Sequence, residues 1–94
     1  MVIGACRIEL QIPESASLKR KRQVIKSVLA RVHHEFNVSI AEVGHQDHWQ
    51  LATLGVVCVS NDTGYVQGLL EAVVRTIDSG QHELVLLDYE VEIV

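Results

Sequence analysis

The hydrophobic residues of this chain follow two different repeats, and the order of these repeats restricts the fold more than any other feature. Residues 2–12 and 83–93 alternate between apolar and other positions with a period of two, as expected for half-buried strands. Two segments between them repeat every three or four residues, which is the spacing of an amphipathic helix. The chain therefore combines strands with two helices.

The first helix is predicted from Ser17 to Phe36, and the second from about Thr63 to Ser79. Side chains of Ser15 or Ser17, and of Asp62 or Thr63, are suited to cap the two helix starts. Asn37 and Gly80 are typical of residues at helix ends. The predicted buried stripes are Leu18, Ile25, Leu29, Val32 and Phe36 in the first helix, and Val66, Leu69, Leu70, Val73 and Ile77 in the second.

Two further strands are predicted at residues 38–43 and about 49–60, separated by the polar turn 44–48. The resulting order is β-α-β-β-α-β, and right-handed crossovers make each half a compact unit. We expect an α+β fold, a ferredoxin-like sandwich with a four-stranded antiparallel sheet and both helices on one face. The length predicts one domain, residues 1–94.

The alternation also predicts which side chains lie on the uncovered face of the sheet. These are the charged or polar residues Arg7, Glu9, Gln11, Glu90 and Glu92, beside the apolar residues Ile3, Leu84 and Leu86. An apolar patch with a charged rim is typical of a dimer or partner surface.

Positive charge is concentrated in the first helix, although the net charge of the chain is −4. Six of the eight Lys and Arg residues lie there: Lys19, Arg20, Lys21, Arg22, Lys26 and Arg31. Cations at a helix N-terminus are locally unfavourable because the helix dipole is positive at that end. One interpretation is a phosphate- or RNA-binding surface made of Lys19, Arg20, Lys21, Arg22 and Lys26. The other is a solvated face with no ligand.

The polar turn offers a second group of candidates. Gln46, Asp47 and Gln50 surround the single tryptophan, Trp49, and have side chains that could hydrogen-bond a ligand. Packing of Trp49 over the hairpin end is favoured over base binding. His45, Asp47 and His48 resemble a metal trio, but a zinc site needs ligands that converge from fixed elements. We therefore predict a solvated turn, with no metal and no cofactor.

Several classes of function have little support in the sequence. The chain lacks GxSxG, HExxH and a glycine-rich phosphate loop, so we expect no enzyme. No apolar run approaches the length of a membrane span, and no export signal begins the chain. We therefore expect a cytoplasmic protein. The two cysteines, Cys6 and Cys58, are interpreted as small buried hydrophobes.

Four short motifs, in order, resemble the YlxP-like family, a bacterial domain family of unknown function. They are Ser17-Leu18-Lys19-x-Lys21-Arg22, Phe36-Asn37-Val38-Ser39, Ala41-Glu42-Val43 and Gln46-Asp47-x-Trp49-Gln50. The resemblance covers essentially the whole chain and implies a ferredoxin-like fold and a cytosolic bacterial protein. Members are often encoded among genes for translation initiation, ribosome maturation and transcription elongation, which implies a role linked to RNA or the ribosome. The family supplies no catalytic residues.

Together these observations predict a binding module that contacts RNA or ribosome phosphates through the basic start of the first helix. Its partners would be RNA or ribosome-associated proteins. The alternative is a structural or regulatory homodimer, or a protein-interaction domain, that associates through the open sheet face and binds no nucleic acid. The RNA-recognition domains that share this topology stack bases on sheet aromatics, and that aromatic pattern is absent here.

Overall fold

The computed structural model describes residues 1–80 and 83–94, and in this part of the chain four strands and two helices follow in the predicted order. The strands are β1 (Val2–Gln11), β2 (Ser39–Gly44), β3 (Leu51–Ser60) and β4 (Val85–Ile93). The helices are α1 (Leu18–Glu35) and α2 (Thr63–Gly80). The strands form one antiparallel sheet in the order β2-β3-β1-β4, which confirms the ferredoxin-like α+β fold.

The core lies between one face of the sheet and the two helices. The even-numbered residues of β1 point into it, and Ile8 and Leu10 are almost completely buried. At Gly4 the helix α2 approaches the strand so closely that an added Cβ would overlap Val66 and come within 2.9 Å of Leu70 Cδ1. The absence of a side chain at Gly4 therefore sets the distance between α2 and β1.

The helix ends agree closely with the prediction. Ser17 caps α1, and its Oγ accepts a hydrogen bond from the Arg20 backbone N–H at 3.1 Å. The Asp62 carboxylate accepts a hydrogen bond from Gly64 N at 3.0 Å at the start of α2. The C-cap of α1 is Phe36, one residue before the predicted Asn37. Neither helix in the described part of the chain has the length and apolarity that a membrane crossing requires.

The buried face of α1 differs from the predicted stripe. Val24 and Val28 are buried beside Ile25 and Val32, whereas Leu18 and Leu29 are only half-buried. The buried face is rotated toward α2 because α1 packs against a second helix as well as the sheet. A helical repeat identifies an apolar stripe, but the neighbouring element decides how far round the helix it extends.

A bulge in β4 overturns the prediction that Leu84 and Leu86 lie on the uncovered face. Glu9 pairs with Asp88 and Leu10 with Leu86, so Leu87 is an extra residue that has no partner in β1. An extra residue reverses the alternation of side chains beyond it. Leu84 and Leu86 consequently face the core, and Val85, paired with Gln11, faces the open side.

Candidate functional site

Lys21 is buried, contrary to its assignment to a phosphate-binding surface. Its side chain is 0% exposed, and it lies on the sheet-facing side of α1 together with Val24, Ile25 and Val28. A fully buried ammonium group is inaccessible to an RNA phosphate. The prediction for Lys21 was wrong because a run of four cations on a helix must place one of them on the inward side.

The Lys21 ammonium group is fully used inside the protein. Its Nζ donates hydrogen bonds to the carbonyl oxygens of His45 at 2.7 Å and Leu51 at 3.0 Å, with a longer contact of 3.4 Å to Gln46. It also lies 3.0 Å from Glu42 Oε2. Glu42 Oε2 has no hydrogen-bond partner among the described residues, so the contact with Lys21 is a charge pair. Lys21 therefore links α1 to both sides of the β2–β3 hairpin.

Two more cations of α1 are paired within the protein. Arg20 forms an ion pair with Glu83, which precedes β4, and also contacts Gln23. Arg31 pairs with Glu35 at 3.3 Å, and its guanidinium group lies against Gly80 at the end of α2. Both side chains are on the α2 side of the helix. These partners neutralise part of the charge on that side.

The three remaining cations form what we call the cationic face: Lys19, Arg22 and Lys26. All three are exposed, and among the described residues none of them makes an ion pair. Their spacing of three and four residues places them on one side of the helix, away from α2. Of the five residues predicted to contact phosphate, these three have free, accessible charges.

The β2–β3 hairpin contains the second group of predicted residues. The Gln50 side chain donates to the carbonyl oxygens of Pro13 and Ser15, each at 3.2 Å. The Gln46 side chain donates to the Glu42 carbonyl oxygen at 3.4 Å. These amide groups therefore stabilise the hairpin and its contact with the β1–α1 connection. Both amide nitrogens already donate to carbonyl oxygens of the protein, so they are less available to donate the hydrogen bonds to a ligand that the sequence had suggested.

Asp47 and Trp49 remain open to solvent in this hairpin. Trp49 is 55% exposed, so packing covers less than half of its surface. With Asp47, His48 and Gln50 it lines a shallow depression at the tip of the hairpin. The structure thus leaves an aromatic ring accessible at a turn that is firmly hydrogen-bonded to the rest of the protein.

The hairpin histidines are not arranged as a metal site. The rings of His45 and His48 lie edge to face with their centroids 6.3 Å apart. His48 Nδ1 accepts a hydrogen bond from the Gln50 backbone N–H at 3.1 Å. Within residues 1–80 and 83–94, no three His, Cys, Asp or Glu side chains form a group suited to holding a metal ion.

The open face of the sheet is partly apolar. Val43, Val57 and Val59 are between 46% and 62% exposed there. Beside them Arg7 lies 3.5 Å from Glu9 and 3.1 Å from Glu90. A depression of about 260 Å³ on this face is lined by Val43 and Val57 together with Arg7 and Glu90. The face combines valine side chains with a mostly acidic border.

Both cysteines are buried, as the sequence predicts. Burial raises the pKa of the Cys6 thiol to about 11, and it also raises the pKa of Cys58. The thiolate is the nucleophilic form of cysteine. Raised pKa values therefore disfavour a reactive role for either residue.

Comparison with known proteins places this fold in a family. Residues 3–91 match the model of the family described as "Protein of unknown function (DUF503)". Over 78 residues the chain is 42% identical to "Uncharacterized protein YlxP" of Bacillus subtilis (strain 168), covering 83% of this chain and 85% of that protein. A solved structure, "De novo designed protein Foldit4", superposes with a TM-score of 0.52 at 20% identity, over 99% of this chain and 94% of the designed one. That likeness concerns the fold alone. The family match and the sequence identity together show that this chain belongs to the YlxP-like family.

Proposed function

We propose that this protein is a non-enzymatic module that binds RNA through the cationic face of α1. The observation that supports this proposal is the separation of the α1 cations into two sets. Arg20, Lys21 and Arg31 are paired within the protein, whereas the cationic face has no acidic partner among the described residues. Lys and Arg side chains that neutralise phosphates release counterions, which favours binding to a polyanion.

The distribution of charge determines how the module would meet RNA. The net charge of −4 disfavours contact over most of the surface, so RNA would approach from the side of α1. Contacts to phosphates position a nucleic acid without selecting its sequence. Genes that accompany YlxP-like members serve translation initiation and ribosome maturation. Ribosomal RNA, in the bacterial cytoplasm, is therefore the first RNA to test.

The test measures binding to mixed structured bacterial RNA by fluorescence anisotropy at a series of salt concentrations. Three phosphate contacts predict a slope of log affinity against log salt of about −2 to −3. The triple variant Lys19→Ala, Arg22→Ala, Lys26→Ala should lose most of the affinity and most of this slope. An unchanged slope in the variant would refute the proposal.

A matched control removes cations that are already paired. The double variant Arg20→Ala, Arg31→Ala lowers the charge of the same helix on its α2 side. It should bind RNA with nearly the affinity and slope of the wild type, because these guanidinium groups are partly neutralised by Glu83 and Glu35. Equal losses in both variants would mean that net charge, and not the cationic face, governs binding.

The open sheet face supports a second candidate, a homodimer or protein-interaction domain that binds no nucleic acid. Exposure of Val43, Val57 and Val59 on one face favours it. Sedimentation of the wild type and of the variant Val57→Lys would test it. A dimer that persists at high salt, is lost in the variant and has no RNA affinity would favour this candidate over the first.

A further inference from the structure

The β2–β3 hairpin is held more firmly than its contribution to the core explains. Residues 45–49 are all exposed, so they contribute little hydrophobic stabilisation. Yet the buried ammonium group of Lys21 bonds to the carbonyl oxygens of His45 and Leu51, on either side of the turn. The Gln50 side chain also attaches this turn to the β1–α1 connection. In addition, the Ile12 backbone N–H donates a hydrogen bond to the Gln50 carbonyl oxygen at 2.8 Å.

Burial of a lysine is energetically unfavourable unless hydrogen bonds and an opposite charge compensate for the loss of hydration of its ammonium group. Removing an ammonium group from water has a large desolvation penalty, and a buried ion pair often stabilises a fold less than apolar residues would. A recognised benefit of such a group is that it selects one conformation. Here the conformation selected is that of an exposed turn, and the one large apolar side chain in that turn is Trp49.

The turn and the cationic face lie at the same end of the molecule. The Lys21 side chain contacts the turn, so the first turns of α1, which carry Lys19 and Arg22 of the cationic face, lie at the hairpin end of the molecule. Lys19 precedes Lys21 by two residues, and the β1–α1 connection that Gln50 contacts leads into the same first turn of α1. One corner of the protein therefore carries an accessible indole ring on a firmly bonded turn, together with the N-terminal part of α1 that bears the cationic face, whose three members have no acidic partner among the described residues.

We infer that this corner binds single-stranded RNA, with one unpaired base stacked on Trp49 and the adjoining phosphates on the cationic face. The inference rests on the proposed function and adds to it the form of RNA that is recognised. Stacking on an exposed aromatic ring requires a base that is free of its duplex partner. A ring carried on a firmly bonded turn loses less conformational freedom on binding than one carried on a mobile loop, which favours affinity. Asp47, in the same turn, disfavours a phosphate directly beside the ring.

The single tryptophan of the chain makes the test direct, because its fluorescence reports on this corner alone. The probe is an oligouridylate of about ten nucleotides, a length within the range of single-stranded sites. This oligonucleotide should quench Trp49 fluorescence in a saturable way. An RNA duplex of the same length should not quench it. Trp49→Ala should bind the oligouridylate about tenfold more weakly, and Trp49→Phe should retain most of the affinity.

Tyr65 provides a matched control. It is 59% exposed, but it lies near the start of α2, at the opposite end of β3 from the hairpin. Tyr65→Ala should therefore leave oligouridylate affinity unchanged. Circular dichroism and urea unfolding of both alanine variants exclude loss of folding as the cause of an effect.

The outcomes separate this inference from the proposed function. If the triple variant of the cationic face loses RNA binding but Trp49→Ala does not, the proposed function stands and the inference is wrong. Equal quenching by the duplex also overturns the inference. If oligouridylate quenches Trp49 equally in the triple variant, the ring binds bases and the cationic face is not the phosphate site. If wild-type protein binds neither probe nor structured RNA, both proposals fail.

Discussion

Lys21 and Glu42 form an ion pair across the interface between α1 and β2, with 3.0 Å between Nζ and Oε2 and with the Lys21 side chain fully buried. Glu42 points toward the core because it pairs with Leu54, whereas the next residue, Val43, is an extra residue in a bulge. The bulge thus marks where β2 leaves its regular register and enters the hairpin. Lys21 joins the helix to the strand at this point.

Replacement of Lys21 by Met should be strongly destabilising. The substitution leaves the carbonyl oxygens of His45 and Leu51 without their donor and leaves the Glu42 carboxylate mostly buried without a counter-charge. Breaking a buried pair of this kind costs about 3–5 kcal/mol. Urea unfolding followed by circular dichroism measures the loss. The matched variant Lys19→Met, on the exposed side of the same helix turn, should change stability by less than about 0.5 kcal/mol.

A double-mutant cycle with Glu42→Gln should reveal the coupling between the two charges. The double variant Lys21→Met, Glu42→Gln should be more stable than the sum of the single losses predicts, by about 1–3 kcal/mol, since neither charge is then buried alone. Strict additivity would show that Lys21 acts only through the hairpin carbonyl oxygens.

The ion pair between Arg20 and Glu83 should affect RNA binding more than stability. Both side chains are more than 40% exposed, so Glu83→Gln should change the free energy of unfolding by less than about 1 kcal/mol. The same substitution removes one negative charge near α1 and frees the Arg20 guanidinium group on the α2 side of that helix. If RNA binds the cationic face of the same helix, affinity at low salt should rise about two- to fivefold, measured by anisotropy. A fall in affinity would contradict this prediction.

Two glycines should respond oppositely to alanine. Gly4→Ala places a methyl group against Val66 and Leu70 of α2, so overpacking should destabilise the protein by about 1–3 kcal/mol. Gly68 has open space around its Cα and lies within α2. Gly68→Ala should therefore stabilise the protein by about 0.5–1 kcal/mol, through helix propensity. Thermal unfolding of the two variants measures both effects.

Stability should decline in alkaline solution because of Cys6. Burial raises the pKa of this thiol from 9.0 to about 11, so the folded state holds the proton more tightly than the unfolded state does. The stabilisation is complete below about pH 9 and is lost as the pH rises toward 11. The loss by that pH is on the order of 2 kcal/mol. Urea unfolding of Cys6→Ala should show a shallower decline across this range, and an identical decline would exclude Cys6 as the cause.

Local patterns were sufficient to predict the architecture. The strand alternation in residues 2–12, the caps at Ser17 and Asp62, and the two helical repeats all depend on neighbours within a few residues. The β-α-β-β-α-β order then leaves few topologies, because crossovers are right-handed. These features were confirmed, including the strand faces of β1.

By itself, the sequence determined the order of elements, the single apolar face of β1, the concentration of cations in α1 and the presence of one tryptophan in a polar turn. Only the tertiary structure decided that Lys21 is buried, that Arg20 has a partner in Glu83, and that Leu84 and Leu86 face the core. Each of these depends on contacts between residues far apart in the chain, or on one extra residue in a strand pairing. Helical spacing alone does not show which of the four adjacent cations points toward the sheet. That depends on which carbonyl oxygens the facing hairpin offers.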